Sequence, residues 1–456
     1  MRPACDIVQR NMRTLVHSLY HRIPDHIRLG PAYRMQKALI LRSRAWSKRE
    51  ILDWQMGKLQ EVLRLAYAQT SYYKTLFDKI GFRPHLLSSP ADLRRIPILT
   101  RDDVRESRDR IRSNNYPRPA LEVATTGGTT GTPLEVYYEK RMTSAVESAF
   151  VHDIWGRFGH RPNCRTVWAR VSDLTDKLYE VRGLKLVVAC GHLQKSTFKE
   201  IASAIRTFDP AYLFGYPSSL YLLGQLMQEA RMPRFDSLRL IMCSSEDLQD
   251  YQREFLRSYY GVPVCNLYGN SERTVIAANC PCSDLMHFYP QYGFVEILDS
   301  RGQECTEEGA IGEIISTAFT SPAFPLIRYR TGDFAVFTKQ DCGCGWNYKV
   351  AKQVHGREPE YIVAASGERR PFIATVNMHS NIFANITQFQ LVQPSPGIVQ
   401  VHVIPKDGFS AADGVAVTGE LQRVLGDSVT VTTQVVKRMI LTKRGKFRFI
   451  IHDRRD

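Results

Sequence analysis

Apolar residues recur at helical intervals through five stretches, which predicts helices at 48–69, 140–157, 196–208, 217–230 and 247–260. Leu59, Val62, Leu63 and Ala66 mark the inward face of the first. Short apolar runs at 184–189, 212–214, 238–243 and 264–268 predict strands between these helices, and Leu134-Glu135-Val136-Tyr137-Tyr138 reads as another. Helices alternating with short strands argue for an α/β body rather than a helical bundle. The texture changes after Gly356. Gln388 to Val392, Ile398 to Ile404 and Val429 to Val435 read as strands, with a helix between Asp413 and Leu425. The expected fold is therefore α/β, a large multi-sheet N-terminal domain over 46–355 followed by a small α+β C-terminal domain over 356–456. A basic extension, 1–45, precedes them. No internal repeat or low-complexity block interrupts the pattern.

Composition changes this picture little. The chain has 456 residues and 43% hydrophobic content, enough for large cores in two or three structural units. No apolar run approaches the roughly 20 residues needed to span a bilayer, and Met1-Arg2-Pro3-Ala4-Cys5-Asp6 lacks the apolar centre of a secretory signal, so cytoplasmic residence is the default expectation. Charge is uneven. Of a formal net +15, residues 1–50 contribute +8, from eleven Lys/Arg against three Asp/Glu. Such a segment suits a solvated face or contact with an anionic membrane surface or acidic polymer. No basic-aromatic motif accompanies it, which argues against nucleic acid.

The chemistry begins at Thr126-Gly127-Gly128-Thr129-Thr130-Gly131-Thr132-Pro133. Glycines let successive N–H groups converge on one anion, and threonine hydroxyls add donors, so the stretch suits a loop around a polyphosphate such as ATP. It lacks the Gly-Lys-Ser/Thr end of a Walker A loop. Read alone, it serves equally as a hairpin connection into the strand that follows. Ten cysteines suggest reduced thiols or metal ligands before disulfides.

Further segments follow in order: Tyr268-Gly269-Asn270-Ser271-Glu272, Tyr329-Arg330-Thr331-Gly332-Asp333, Gly356-Arg357, and Thr442-Lys443-Arg444-Gly445-Lys446. With the threonine-glycine loop, this series resembles the adenylate-forming, AMP-forming acyl-CoA synthetase superfamily. The chain looks closest to its phenylacetate-CoA ligase branch, and within it to the CapK-like subgroup associated with capsule and surface-polysaccharide biosynthesis. Trp46-Ser47-Lys48-Arg49-Glu50, Tyr72-Tyr73, Ile96-Pro97-Ile98-Leu99-Thr100, Tyr289-Pro290-Gln291-Tyr292-Gly293 and Gly445-Lys446-Phe447-Arg448-Phe449 carry the subgroup resemblance, which covers roughly residues 46 to 452. Each motif is weak by itself, and their order and spacing make the family.

The resemblance implies an ATP- and acyl-binding adenylation domain and a mobile C-terminal lid. Thr126, Gly127, Gly128, Thr129, Thr130 and Gly131 would cradle phosphate, with Thr129 in the catalytic group. Gly127 replaces a common serine, and Thr132 sits where lysine is frequent. Glu272 would hold Mg²⁺, whose hardness suits carboxylate and phosphate oxygens. Tyr268 would stack on adenine, with Gly269, Asn270 and Ser271 beside it. Ser244, Ser245 and Glu246 would form the adenine-side loop. Asp333 would accept hydrogen bonds from two ribose hydroxyls, and Arg357 would assist at ribose or phosphate. Lys446, an ammonium on a glycine-flanked segment, would offset charge in the adenylation transition state. Tyr216 and Pro217, in Gly215-Tyr216-Pro217-Ser218, correspond to the acyl site. Proline also suits the first position of a helix.

Two features complete the reading. Cys280, His287, Cys342 and Cys344 resemble the split zinc site of some branch relatives, a closed four-ligand structural site in which Cys282 competes with Cys280. At the hinge, where the family commonly has Asp or Lys, stands Pro359, whose fixed φ excludes a large rotation at that residue. The expected reaction is activation of a small carboxylic acid as acyl-AMP, then transfer to CoA or another acceptor. A CoA-independent ligase or adenylyltransferase acting on a hydroxyl or amine is the competing enzyme, and a noncatalytic nucleotide- or polyanion-binding protein the third reading.

Overall fold

The computed structural model describes residues 25–125, 134–170, 174, 177–356, 361–367, 369–371, 385–441 and 447–452. It is a mixed α/β protein in two compact units, each assembled from separate stretches of chain. One draws its described residues from 162–264 and 358–456, the other from 19–161 and 265–357.

The first unit carries a mostly parallel sheet in the order Leu240–Ser244, Tyr212–Gly215, Thr166–Arg170, Lys185–Ala189, with Tyr179–Arg182 added antiparallel at the edge. Tyr212–Gly215 is buried at every position. Strands covered on both faces read as apolar runs, which is why Lys185–Ala189, Tyr212–Gly215 and Leu240–Ser244 were visible in the sequence, whereas Thr166–Arg170 and Tyr179–Arg182 were not anticipated. The helices Phe198–Phe208, Pro217–Glu229 and Asp250–Tyr260 alternate with them and share a core of Val167, Ile205, Leu213, Leu220, Ile241 and Leu256. Gly215 is required by its neighbour: a Cβ there would lie 2.4 Å from the carbonyl oxygen of Ala169.

The same unit holds a four-stranded sheet in the order Thr430–Val435, Ile398–Pro405, Ile386–Ser395, Ile450–His452. The central pair is antiparallel and the outer two strands run parallel to their neighbours. Helix Ala411–Leu425 covers it through Val417 and Leu421, which pack with Leu391, Val401 and Val403.

The second unit is built on an antiparallel sheet in the order Gly293–Leu298, Ile311–Ala318, Tyr329–Phe337, Val350–His355, Ser283–Phe288, Ile276–Cys280, Val264–Gly269. Most of these strands were not anticipated. Ile276–Cys280 is buried throughout, so it shows no alternation, while buried polar residues such as Asn279, Glu296 and Thr317 break up the apolar runs. Its helices include Gly30–Ser43, Lys48–Gln69, Ser71–Lys79, Arg101–Ile111 and Met142–Arg157. Ser47 and Glu50 form a reciprocal cap at the second, and Thr100 and Asp103 at the fourth. Helix Gly30–Ser43 packs on Met142–Arg157, where Lys37 and Arg44 reach the fully buried Asp153 at 2.9 and 2.7 Å. Tyr289 donates to the other oxygen of that carboxylate at 3.2 Å. Part of the basic character of the N-terminal segment is thus spent inside the fold. Among the described residues no helix is long and apolar enough to cross a membrane.

Candidate active site

In the second unit, strand Val264–Gly269 delivers Tyr268 and the turn after it delivers Glu272, while Tyr329–Phe337 delivers Asp333. The Tyr268 hydroxyl donates to Asp333 Oδ2 at 2.7 Å, joining two motifs 65 residues apart. Burial, and then the charge of Asp333, push the Tyr268 phenol well above its ordinary pKa, so it stays a neutral donor. Asp333 is itself fixed by its backbone, since its N–H donates to Thr331 Oγ1 at 3.0 Å and Thr331 donates to the Ile314 carbonyl at 2.8 Å.

Glu272 is almost wholly buried. Its Oε1 accepts from the Tyr329 hydroxyl at 2.9 Å and lies 3.6 Å from the Arg101 guanidinium. Arg101 arrives there because Leu99 pairs with the strand: its N–H donates to the Arg328 carbonyl and its carbonyl accepts from Arg330 N–H, both at 2.9 Å. Thr100 then caps the helix that Arg101 opens. Asn270 closes the turn through Thr274, donating from Nδ2 at 2.7 Å and accepting from Thr274 N–H at 2.9 Å. The Tyr138 hydroxyl donates to the Ser271 carbonyl. Tyr138, Arg101 and Tyr329 were given no site role from the sequence. Arg101 borders the quoted motif Ile96–Thr100 and Tyr329 opens the quoted motif Tyr329–Asp333, which was the available signal.

The first unit holds Tyr216, Pro217 and Ser244 to Glu246. Pro217 is the first residue of its helix, as its fixed φ favours. Tyr216 is buried, with the Arg170 guanidinium 5.6 Å from its ring centroid. Arg170 also lies 5.3 Å from the Phe214 centroid and donates to Ser245 Oγ at 3.2 Å. Ser245 has φ +72°, a left-handed conformation uncommon outside glycine. Glu246 Oε2 accepts from Ser218, from the hydroxyl at 2.7 Å and the N–H at 3.3 Å, and its Oε1 accepts from Phe447 N–H at 2.9 Å. Arg170 carries no motif that would have marked it, and Ser218 was quoted in Gly215-Tyr216-Pro217-Ser218 without a role of its own.

Cys280, His287, Cys342 and Cys344 come together in the second unit, their ligand atoms all within 4.8 Å of one another. Cys280 and Cys342 sulfurs are 3.5 Å apart, and Cys344 Sγ lies 3.4 Å from His287 Nε2. Cys282 is exposed and outside the cluster. His287 donates from Nδ1 to the Leu285 carbonyl at 2.9 Å, which turns Nε2 toward the sulfurs. Burial, and then the Arg157 charge, lower its pKa to about 4, leaving a neutral imidazole. Thr126, Gly127, Gly128, Thr129, Thr130 and Gly131, together with Arg357, Pro359 and Lys446, lie outside the described residues. The hairpin Leu121–Thr125 with Glu135–Glu139 brackets that loop, pairing Thr125 with Glu135.

Residues 99–318 match the family described as AMP-binding enzyme, and residues 366–453 match the CapK C-terminal domain. The chain is 28% identical over 311 residues to a phenylacetate-coenzyme A ligase of Aromatoleum evansii, covering 63% of this chain and 66% of that one. It is 22% identical over 425 residues to Protein CapK of Staphylococcus aureus, covering 89% and 90%. The chain belongs to the adenylate-forming enzymes, in the CapK-like subgroup of the phenylacetate-CoA ligase branch. Membership makes it an AMP-forming ligase by class. Among solved structures, a 2-hydroxyisobutyryl-CoA ligase in complex with 2-HIB-AMP is similar in fold to this adenylate-forming chain. Its TM-score is 0.72 at 21% identity, covering 91% of this chain and 92% of that one.

Proposed function

We propose that this ligase joins a carboxylic acid to AMP at the expense of ATP, releasing pyrophosphate, and then passes the acyl group to CoA. In the first step a carboxylate oxygen bonds to the α-phosphorus as the bond to pyrophosphate breaks. In the second the CoA sulfur bonds to the acyl carbon and AMP leaves. The observation that carries the reading is the Tyr268–Asp333 hydrogen bond at 2.7 Å, which holds an aromatic ring and a carboxylate at one locus. There the ring serves adenine and the carboxylate serves the ribose hydroxyls, with Arg357 assisting. Gly269, Asn270 and Ser271 shape that side, and Ser244 to Glu246 serve as the family's adenine-side loop. Thr126 to Thr132 receive the phosphates.

Glu272 is suited to hold Mg²⁺, since its carboxylate is oriented by Tyr329. Bound there, the ion neutralises phosphate charge. Lys446, carried on the mobile lid 356–456, supplies the cation that meets carboxylate and α-phosphate together. Tyr216 and Pro217 wall the acyl group.

Cys280, His287, Cys342 and Cys344 fit a structural zinc. Sulfurs about 3.8 Å apart are what a tetrahedral ion requires, and here Cys344 Sγ lies 3.4 Å from His287 Nε2 and the Cys280 and Cys342 sulfurs are 3.5 Å apart. The match of residues 366–453 to the CapK C-terminal domain supports a place in surface-polysaccharide biosynthesis. Phenylacetate and 2-hydroxyisobutyrate are the first acids to try, because similar proteins are ligases for them.

Incubation with labelled ATP and an acid panel, with and without CoA, tests the proposal. Acid-dependent AMP and thioester are expected. Acyl-AMP without thioester would favour the CoA-independent ligase, to which Pro359 at the hinge lends weight. No turnover of ATP with any acid would leave only a binding role.

A further inference from the structure

Arg273 follows Glu272 directly and adopts φ +56°, in the left-handed region where a residue with a Cβ is disfavoured. Glycine or asparagine would enter that conformation more readily, so an arginine there points to a use for its side chain. The turn itself is closed without it. Arg273 N–H donates to the Asn270 carbonyl at 3.1 Å, and Thr274 N–H donates to Asn270 Oδ1 at 2.9 Å. The guanidinium instead leaves the turn for two elements that follow the threonine-glycine loop in sequence. Its Nη1 lies 2.6 Å from Glu147 Oε2, on helix Met142–Arg157, with 21% of the arginine side chain exposed and 28% of the glutamate's. Its Cζ lies 4.8 Å from the ring centroid of Tyr138, on strand Glu135–Glu139. Glu147 is held in turn. The Tyr292 hydroxyl donates to the same Oε2 at 2.7 Å, and the buried Tyr292 ring meets Phe150 of Glu147's own helix edge to face, with centroids 4.8 Å apart. On the other side of Glu272, the Ser271 carbonyl accepts from the Tyr138 hydroxyl. Both chain neighbours of Glu272 are thus fastened to the strand and helix that succeed the loop, while its own carboxylate meets Tyr329 and Arg101.

We infer that Arg273 is a positioning residue for the metal-binding carboxylate of Glu272, anchored by Glu147 and by the face of Tyr138. The inference deepens the function proposed above and rests on it for the metal role of Glu272, whereas the anchor itself rests on distances alone. Charge and position make opposite predictions here. A cation beside a metal site repels Mg²⁺, so an arginine acting through its charge alone would weaken metal binding, and its removal would strengthen it. An arginine that holds the turn does the reverse. A charge-assisted bond of this kind is strong enough to change the population of the ordered turn by about tenfold when it is broken.

Metal affinity can be read without turnover. Mn²⁺ is titrated into the full chain with α,β-methylene-ATP, whose bridging carbon blocks the adenylation step, and bound ion is followed by electron paramagnetic resonance against the analogue alone. Arg273→Met, which keeps the length and removes the charge, is expected to bind Mn²⁺ about tenfold more weakly than wild type. Arg273→Lys restores a cation for Glu147 without the planar face for Tyr138 and should fall between. Glu147→Gln leaves residue 273 in place and serves if the methionine variant folds poorly. In it, hydrogen exchange at the Arg273 and Thr274 amides should quicken about tenfold while strand Ile276–Cys280 keeps its wild-type rates. Unaltered or tighter Mn²⁺ binding by folded Arg273→Met overturns the inference, as does unaltered exchange in Glu147→Gln. So does equal quickening along the strand, which would signal general loosening. Failure of wild type itself to bind Mn²⁺ with the analogue overturns the inference together with the metal role of Glu272. If wild type binds Mn²⁺ yet forms no acyl-AMP from any acid, the proposed function fails, and the affinities of the variants still decide the role of Arg273.

Discussion

Glu272 and Lys446 divide the charge of the proposed adenylation between a fixed anion and a reaching cation. Glu272→Gln keeps the shape of the side chain and an oxygen for the Tyr329 hydroxyl, but removes the anionic ligand. Mg²⁺-dependent ATP turnover should weaken with the melting temperature little changed. Equal turnover by both proteins at limiting Mg²⁺ would take Glu272 out of that role. Lys446→Ala should slow acyl-AMP formation by about 10² to 10³, the scale of losing one preorganised transition-state contact, while ATP still binds. Single-turnover quench measurements read this, and an undiminished rate would refute it. At this scale the sequence was informative where a motif concentrated the residues, as for Tyr268, Glu272 and Asp333. It gave no role to Arg101, Tyr329 and Ser218, whose partners are brought to them only by strand pairing and helix entry, over separations the local pattern does not encode.

Elements were legible in proportion to how regular their burial is. Helix Lys48–Gln69 and the parallel strands Lys185–Ala189, Tyr212–Gly215 and Leu240–Ser244 announce themselves by periodicity or apolar runs, and three strands and the helix between 386 and 435 lie where the pattern placed them, while Thr166–Arg170 and Ile450–His452 were missed. The antiparallel strands between 276 and 355 carry buried Asn279, Glu296 and Thr317, whose cost is met by tertiary hydrogen bonds invisible to a one-dimensional reading. Glu296, for instance, holds the buried Arg328 at 2.9 and 3.0 Å. Two of these strands, Ile276–Cys280 and Ser283–Phe288, also supply Cys280 and His287. The purified protein is therefore expected to contain about one zinc per chain by the four-ligand rule, and Cys342→Ser to lose both the metal and thermal stability. Metal analysis beside a melting curve checks it, and a metal-free protein with unaltered melting would dismiss the site. In the parallel sheet, Gly215→Ala drives a methyl group against the Ala169 backbone and should destabilise the fold by about 1–3 kcal/mol. Chemical denaturation would measure that loss.

For the molecule as a whole, the proposed transfer to CoA would require the chain to turn about residues 356–360. If Pro359 restrains it, acyl-AMP forms faster than the thioester, and Pro359→Asp should accelerate the second step selectively. Rapid transfer by wild type would mean that rotation does not use position 359. The charge of the first fifty residues acquires another meaning at this scale. Asp153 is buried and meets Lys37, Arg44 and Tyr289. An anion in that setting tolerates its surroundings only while its cations are present, and removing partners from a buried pair costs about 3–5 kcal/mol. A shortened chain starting at residue 46, the cut that a reading of residues 1–45 as a dispensable tail invites, would strip away both cations at once. Engineers seeking a minimal ligase should find such trimmed versions accumulating as aggregates. Trimming that spares helix Gly30–Ser43 and Arg44 should leave the yield of folded protein intact.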